Sequence, residues 1–220
     1  MSGRMRLWCL RHGESTNVTA GIAGAVPTAP LTTNGRQQAM SAAQKLAGEP
    51  LTRVYASTAL RARQTADILA SALTVDVARM SELVEVGIGQ HEGTSDPSIR
   101  AHTAEVLRSW IIDQNLERRV ADGESGHQVV ARMTAALRQI AMTHSGESVA
   151  VVGHVASLTV TLGQLCTLGN QVWGTPLPHA HPFLVEWDGR TWTCPAWPGA
   201  GDSSLTTPGG PEHRHAIRSS

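Results

Sequence analysis

Cysteine is scarce in this 220-residue chain, and no two cysteines lie close together in sequence. The three are Cys9, Cys166 and Cys194, an odd number with no CxxC spacing. This pattern gives no support to a disulfide framework or to a cysteine-based zinc site. We therefore expect three reduced thiols, as is usual in a cytoplasm.

An excess of charge of either sign is also missing. Lys+Arg and Asp+Glu both number 18, whereas a general binder of nucleic acid or acidic membranes would need a basic excess. No apolar run approaches the roughly 18 residues that cross a bilayer, and residues 1–6 are too short and polar to begin a signal peptide. We expect a cytoplasmic protein without nucleic-acid or membrane partners.

Internal repeats are absent from the sequence, and its composition changes only near the C-terminus. Residues 198–220 are rich in Gly, Pro and Ser, with too few apolar residues to offset the entropy of ordering them. We expect one domain over residues 1–197 and a flexible tail over 198–220.

Strand-like and helix-like segments alternate along the domain. Strands are predicted from short apolar runs, and helices from apolar residues that recur at helical spacing. The predicted segments are strand 6–10, helix 33–47, strand 53–56, a helix capped by Ser57 that ends near 73, helix 125–143, strand 148–152, helix 156–168, and a hairpin of 183–187 with 191–193. The alternation predicts an α/β fold, a three-layer αβα sandwich with a mostly parallel central sheet.

Residues able to bind phosphate follow the predicted strands. Because parallel sheets bind ligands at the carboxyl ends of their strands, side chains from separate strand ends should converge on one crevice. The candidates from these positions are Arg11 and His12, Arg61, His154, and Glu85 on the rim.

Each of these residue types suits phosphoryl transfer. Arginine grips phosphate oxygens with a rigid fork of donors, and Arg61 also lies near a predicted helix N-terminus, which favours an anion. His12 can act as a nucleophile if one ring nitrogen is neutral and the other is hydrogen-bonded, either by Glu14 or by a backbone carbonyl near Gly13.

The remaining two candidates would handle charge and protons. A protonated His154 would bind the equatorial phosphate oxygens. Glu85 would protonate the leaving oxygen and then deprotonate the water that resolves a phosphohistidine. Arginine and histidine supply the positive charge, so we expect neither a metal nor a cofactor.

With these residues in place, the sequence resembles the histidine phosphatase, or phosphoglycerate-mutase-like, superfamily over about residues 5–190. Six ordered motifs carry the resemblance: RHGES (11–15), APLTTNGRQQA (29–39), YASTALRARQTADIL (55–69), LVEVGIGQHEG (83–93), DGES (122–125) and VAVVGHVASL (149–158). The resemblance implies the fold of that superfamily. It also implies that His12, Glu85 and His154 are catalytic and that Arg11 and Arg61 bind phosphate.

The chain departs from the family pattern beside two of these motifs. The family often has Asn six residues after the nucleophile, where this chain has Val18, with Asn17 one position earlier. Val155 and Ala156 replace the glycines that usually follow the second histidine, which would alter a backbone donor and narrow the pocket. We expect Asn17 and Val155 to contribute to phosphate binding.

The resemblance leaves the reaction open between three alternatives. Only 28 residues separate Gly93 from Asp122, without the longer basic, Pro-rich insert of cofactor-dependent mutases. A phosphomonoesterase for a small phosphorylated metabolite is therefore favoured over a phosphoglycerate-type mutase and over a phosphate-ester-binding protein that has lost turnover. The sequence leaves a homodimer open.

Two further features have competing interpretations. The run of Trp110, Ile111 and Ile112 could stack on a substrate, but the packing of one helix against the core is favoured. The HAH sequence at 179–181 could chelate a metal, although two ligands at that spacing are weak evidence.

Overall fold

The computed structural model describes residues 3–174 and 176–198, and in this part of the chain six strands form one sheet. Apart from Pro198, the predicted flexible tail lies outside the described residues. The strands are β1 (Met5–Arg11), β2 (Leu51–Ser57), β3 (Asp76–Met80), β4 (Ser148–Gly153), β5 (Phe183–Trp187) and β6 (Trp192–Thr193).

The sheet has the order β3-β2-β4-β1-β5-β6. The first four strands in this order are mutually parallel, whereas β5 pairs with β1 and β6 with β5 in antiparallel fashion. The sheet is therefore mostly parallel, and the predicted α/β fold is confirmed.

Helices cover both faces of the sheet and complete the three layers. In chain order they are α1 (Thr16–Thr19), α2 (Thr33–Leu46), α3 (Leu60–Leu73), α4 (Pro97–Ile111), α5 (Gly126–Thr143) and α6 (Val155–Leu165). Helices α2 and α3 pack on one face through small residues such as Ala39 and Ala66, whereas α4, α5 and α6 bury larger residues such as Met133 and Leu158 on the other.

Local sequence explains the elements that hold the sheet in place. All six residues of β4 are buried, as expected for a strand covered on both faces. Helix α5 begins with a capping box, in which Ser125 and Gln128 satisfy each other's backbone N–H groups. Such a cap stabilises a helix by about 1 kcal/mol.

The predicted elements differ from the structure at several places. Helix α3 begins at Leu60, so Ser57 is the last residue of β2 and not the N-cap. Helix α6 spans Val155–Leu165 where 156–168 was predicted. Strand β3 was not predicted, and of helix α4 only the segment around Trp110 was expected to be helical.

Helix α4 decides the role of Trp110. This side chain is only 2% exposed, lies in the core with Ile111, and donates from Nε1 to the carbonyl of Arg118. The packing interpretation is confirmed, and a stacking contact between Trp110 and a substrate is excluded by burial. None of the helices in the described ranges is both long and apolar enough to cross a membrane.

Candidate active site

The candidate catalytic residues lie where β1, β2 and β4 end. Arg11 pairs with Gly153 in the parallel ladder, and the next residue, His12, donates its backbone N–H to the carbonyl of Gly153 at 3.0 Å. This register brings the rings of His12 and His154 into edge-on contact, with centroids 5.1 Å apart. The expected convergence of strand ends therefore occurs.

Glycine at position 13 lets helix α2 approach this strand end closely. A Cβ on Gly13 would collide with the carbonyl oxygen of Gly35, and a Cβ on Gly35 would collide with the carbonyl oxygen of Glu14. The backbone N–H of Gly13 is also bound by the hydroxyl of Thr65 at 3.0 Å. The loop after His12 is thus fixed between α2 and α3.

The hydrogen bonds of His12 define its tautomer. Nδ1 lies 2.7 Å from the carbonyl oxygen of Gly13 and must donate to it, while Nε2 accepts from Nε of Arg61 at 3.0 Å. Burial, followed by the charge of Arg61, lowers the pKa of His12 well below its ordinary value. The ring is therefore neutral and has its lone pair on Nε2.

Of the two groups proposed to fix this tautomer, the backbone carbonyl is the one that does so. The Glu14 carboxylate accepts instead from the hydroxyl of Thr32 at 2.6 Å. Thr32 is the N-cap of α2, so Glu14 helps to hold the helix rather than the imidazole.

His154 is completely buried next to the nucleophile candidate. Nδ1 accepts from Nη2 of Arg61 at 3.2 Å, which leaves the proton on Nε2, where it is donated to the hydroxyl of Ser57 at 2.6 Å. Burial, followed by His12 and Arg61, lowers the pKa of His154 well below its ordinary value. His154 is therefore neutral here, whereas the sequence led us to expect a positive charge. Burial and the neighbouring cations disfavour the protonated ring, and a nearby anion would be needed to offset them.

Two arginines line the same pocket, and they differ in how many hydrogen bonds they make. Arg61 is 2% exposed and bonds both histidines and, through Nη1, the carbonyl of Val26 at 2.7 Å. Arg11 donates from Nη1 to the carbonyl of Leu177, and its buried Nε has no hydrogen-bond partner among the described residues. Burial lowers the pKa of Arg11 to about 10, so it remains a cation at neutral pH.

Glu85 is held at the N-terminus of α6. Its carboxylate accepts from the backbone N–H groups of Ala156 at 3.2 Å and Ser157 at 2.9 Å, and from its own neighbour Val86 at 2.9 Å. The replacement of the usual glycine by Ala156 therefore leaves this backbone donor in use.

The loop that carries Glu85 is clamped by Arg132 of α5. Arg132 donates to the carbonyls of Glu82, Val84 and Glu85 at 2.7–3.2 Å, and its guanidinium pairs with both carboxylate oxygens of Glu124. Sequence reasoning missed Arg132, although it follows the DGES motif that supplies Glu124.

A cavity of about 290 Å³ lies over these residues and is lined by Arg11, His12, Arg61 and Glu85. Asn17 and Val155, which the sequence predicts to contribute to phosphate binding, also line this cavity. Asn17 is buried, and its Oδ1 accepts from the hydroxyl of Ser15 at 2.7 Å. Its amide nitrogen would thus be the group available to a phosphate oxygen.

His179 is a site residue that sequence reasoning missed. Its Nδ1 donates to the carbonyl of His12 at 3.0 Å, and its ring centroid is 5.7 Å from that of His12. His181, the other histidine of HAH, lies instead 3.3 Å from the amine of Lys45. An isolated parallel β-bridge between the backbones of Arg11 and His179 brings His179 to the site. The HAH sequence alone does not indicate this long-range pairing.

The buried neutral histidines predict a dependence of stability on pH. The folded protein keeps His12 and His154 unprotonated, while the unfolded chain takes up protons below the ordinary value of 6.5, so stability is lost as pH falls. Each is expected to lower the free energy of unfolding by about 1.4 kcal/mol between pH 7.5 and 5.5. Urea unfolding at pH 7.5 and at pH 5.5 measures this change in the free energy of unfolding.

The variant His154→Gln is the control for this prediction. It removes one of the two buried histidines, so its loss of stability between the same pH values should be smaller than that of the parent by about 1.4 kcal/mol. Equal stability of the parent protein at pH 7.5 and 5.5 would contradict the assignment of two neutral histidines.

Comparison with known proteins agrees with this geometry. The sequence profile of the histidine phosphatase superfamily (branch 1) matches residues 7–198, which include all the strands and helices named above except the first two residues of β1. The chain belongs to the histidine phosphatase superfamily. The resemblance predicted from the six motifs is thereby confirmed.

Individual members of the histidine phosphatase superfamily are similar along most of their length. The "Probable phosphoglycerate mutase GpmB" of Citrobacter koseri is 27% identical over 197 residues, 88% of this chain and 90% of that protein. The structure of YhfR from Bacillus stearothermophilus is 26% identical, with a TM-score of 0.75 over 87% of this chain and 95% of that one.

A third comparison shows the fold alone. The mycobacterial glucosyl-3-phosphoglycerate phosphatase is 22% identical, with a TM-score of 0.73 over 87% of this chain and 98% of that one. Phosphatases and phosphoglycerate-mutase-like proteins therefore both occur among the proteins that this histidine phosphatase superfamily member is similar to.

Proposed function

We propose that this protein is a phosphomonoesterase that hydrolyses a small phosphate ester through a phosphohistidine on His12. The carrying observation is the unprotonated Nε2 of His12. The Gly13 carbonyl holds the ring proton on Nδ1, and Nε2 accepts from the Arg61 guanidinium, which a phosphate oxygen could draw away. An unprotonated imidazole beside anion-binding cations is the arrangement that nucleophilic attack on phosphorus requires.

The substrate phosphate would bind in the cavity against Nε2 of His12 and the two arginines. The unpartnered Nε of Arg11 offers an N–H, and Arg61 would turn donors from the histidines to phosphate oxygens. The dianion would also favour a proton on His154, which then binds a further oxygen. Phosphate thus supplies the negative charge that the buried cluster lacks.

The first chemical step would transfer the phosphoryl group to the enzyme. Nε2 of His12 forms a bond to phosphorus as the bond from phosphorus to the leaving oxygen breaks. Glu85 passes a proton to that oxygen, so an alcohol departs. The carbonyl of Gly13 accepts from Nδ1–H and stabilises the cationic phosphoimidazole ring.

The second step would return the histidine to its starting state. Glu85, now a carboxylate, takes a proton from water, whose oxygen bonds to phosphorus as the bond between phosphorus and Nε2 breaks. The products are inorganic phosphate and neutral His12, with the proton again on Glu85. The three backbone N–H groups and Arg132 would keep Glu85 in place for both steps.

The test is phosphate release from a panel of phosphate esters in the presence of a metal chelator, with and without a bisphosphoglycerate primer. We expect turnover with the chelator and without the primer. Interconversion of phosphoglycerates that depends on the primer would indicate a mutase, as the name of the Citrobacter relative suggests. Phosphate binding without release from any ester would indicate a binding protein.

A further inference from the structure

A second cavity, of about 490 Å³, opens beside the phosphate pocket. The two cavities share four lining residues, namely Arg11, Ala104, Leu107 and Val155. A molecule whose phosphate lies against Arg11 therefore has a direct path for the remainder of its structure into the second cavity.

The second cavity is apolar where it extends away from Arg11. Its outer wall includes Val172, Trp173 and Pro176, and Trp173 is 36% exposed. An indole left partly open to solvent beside a binding cavity gains from covering by another apolar group.

The hydroxyl groups along both cavities are already engaged within their own helices. Thr159 Oγ1 donates to the carbonyl of Val155 at 2.6 Å, and Thr103 Oγ1 donates to the carbonyl of Ile99 at 2.8 Å. A sugar ring placed here would lose water from its hydroxyls and gain few side-chain partners in return.

Val155 stands at the junction of the two cavities. It follows His154 directly as the first residue of α6, at a position where the family resemblance would place glycine. The isopropyl group adds apolar surface at the point where the leaving group of an ester would pass.

We propose that the second cavity is a leaving-group subsite for an apolar group, so that the preferred substrate is the phosphate monoester of an aliphatic alcohol. This inference rests on the proposed phosphatase function. The subsite sets the preference among esters, whereas the residues around His12 carry out the reaction on any of them.

The test compares ethyl, butyl and hexyl phosphate with glycerol 1-phosphate, all of which release a primary alcohol. We expect kcat/KM to rise by on the order of threefold for each buried methylene group and to be lowest for the polar ester. Trp173→Ala should lower kcat/KM about tenfold for hexyl phosphate and leave ethyl phosphate within twofold. Met142→Ala, an exposed apolar residue on α5, is the matched control.

Inhibition of the parent protein by n-alkylphosphonates, which have no ester bond to hydrolyse, gives a second readout that needs no variant. Their inhibition constants should fall with chain length. Rates and inhibition constants that are independent of chain length, or a preference for glycerol 1-phosphate, would overturn the subsite while leaving the phosphatase proposal intact. Absence of phosphate release from every ester would instead overturn the proposed function itself.

Discussion

Replacement of His12 by alanine is expected to lower kcat by about 10⁴-fold or more on every phosphate ester. The change removes the unprotonated Nε2 that accepts from Arg61, and it leaves both arginines and His154 in place. No covalent intermediate can then form. Steady-state phosphate release from the purified variant measures the loss.

The control for this prediction is His127→Ala, which removes an exposed histidine of α5 that pairs with Glu117. It should retain the parent kcat and KM. Thermal unfolding of His12→Ala shows whether the variant is folded. Activity within tenfold of the parent in a folded His12→Ala protein would refute His12 as the nucleophile.

Replacement of Glu85 by glutamine should give a loss that depends on the leaving group. An alkyl phosphate must receive a proton on its departing oxygen, so transfer to His12 should slow by about 10²–10⁴-fold. A nitrophenyl ester releases a stable anion and needs little protonation, so its transfer step should slow by less than about tenfold.

Rapid-mixing experiments separate this effect from the second step. Glu85 also serves water attack, so the variant should show a fast burst of nitrophenol followed by slow turnover. Glu117→Gln, an exposed carboxylate away from the cavity, should behave like the parent. Equal slowing of the transfer step for both esters would count against the acid role of Glu85.

Much of the fold follows from short-range features of the sequence. Residues 7–10 of β1 and 149–152 of β4 are unbroken apolar runs, and Ser125 with Gln128 marks the start of α5. Helix α4 had a comparable signal, since Asp96 caps it and Pro97 occupies its first turn. Strand β3 is short and not one of its residues is fully buried, so it lacks an apolar pattern.

The part of the candidate site that could be predicted is the part that lies at the carboxyl ends of the parallel strands, where such sheets bind ligands. Arg11 is the last residue of β1, His12 and His154 directly follow β1 and β4, and Arg61 follows the end of β2 by four residues. The rule does not identify residues that reach the site through tertiary contacts. Ser57 as the partner of His154 and His179 as the partner of His12 belong to this class.

The protonation of His154 could not be inferred from its residue type. Charge on an imidazole depends on burial and on neighbours, and here complete burial beside His12 and Arg61 lowers its pKa. The role of Val155 could not be inferred from the sequence either, because it depends on the position of this side chain between the two cavities.

The most direct test of the central claim is to trap the intermediate. The protein is mixed with a nitrophenyl phosphate, quenched in alkali during the first turnover, digested, and examined by tandem mass spectrometry. The account predicts one phosphoryl group on His12. It should be absent from the His12→Ala variant, and also from protein that is mixed with inorganic phosphate and quenched immediately. A phosphoryl group on another residue, or product formation with no phosphoenzyme at any time, would contradict it.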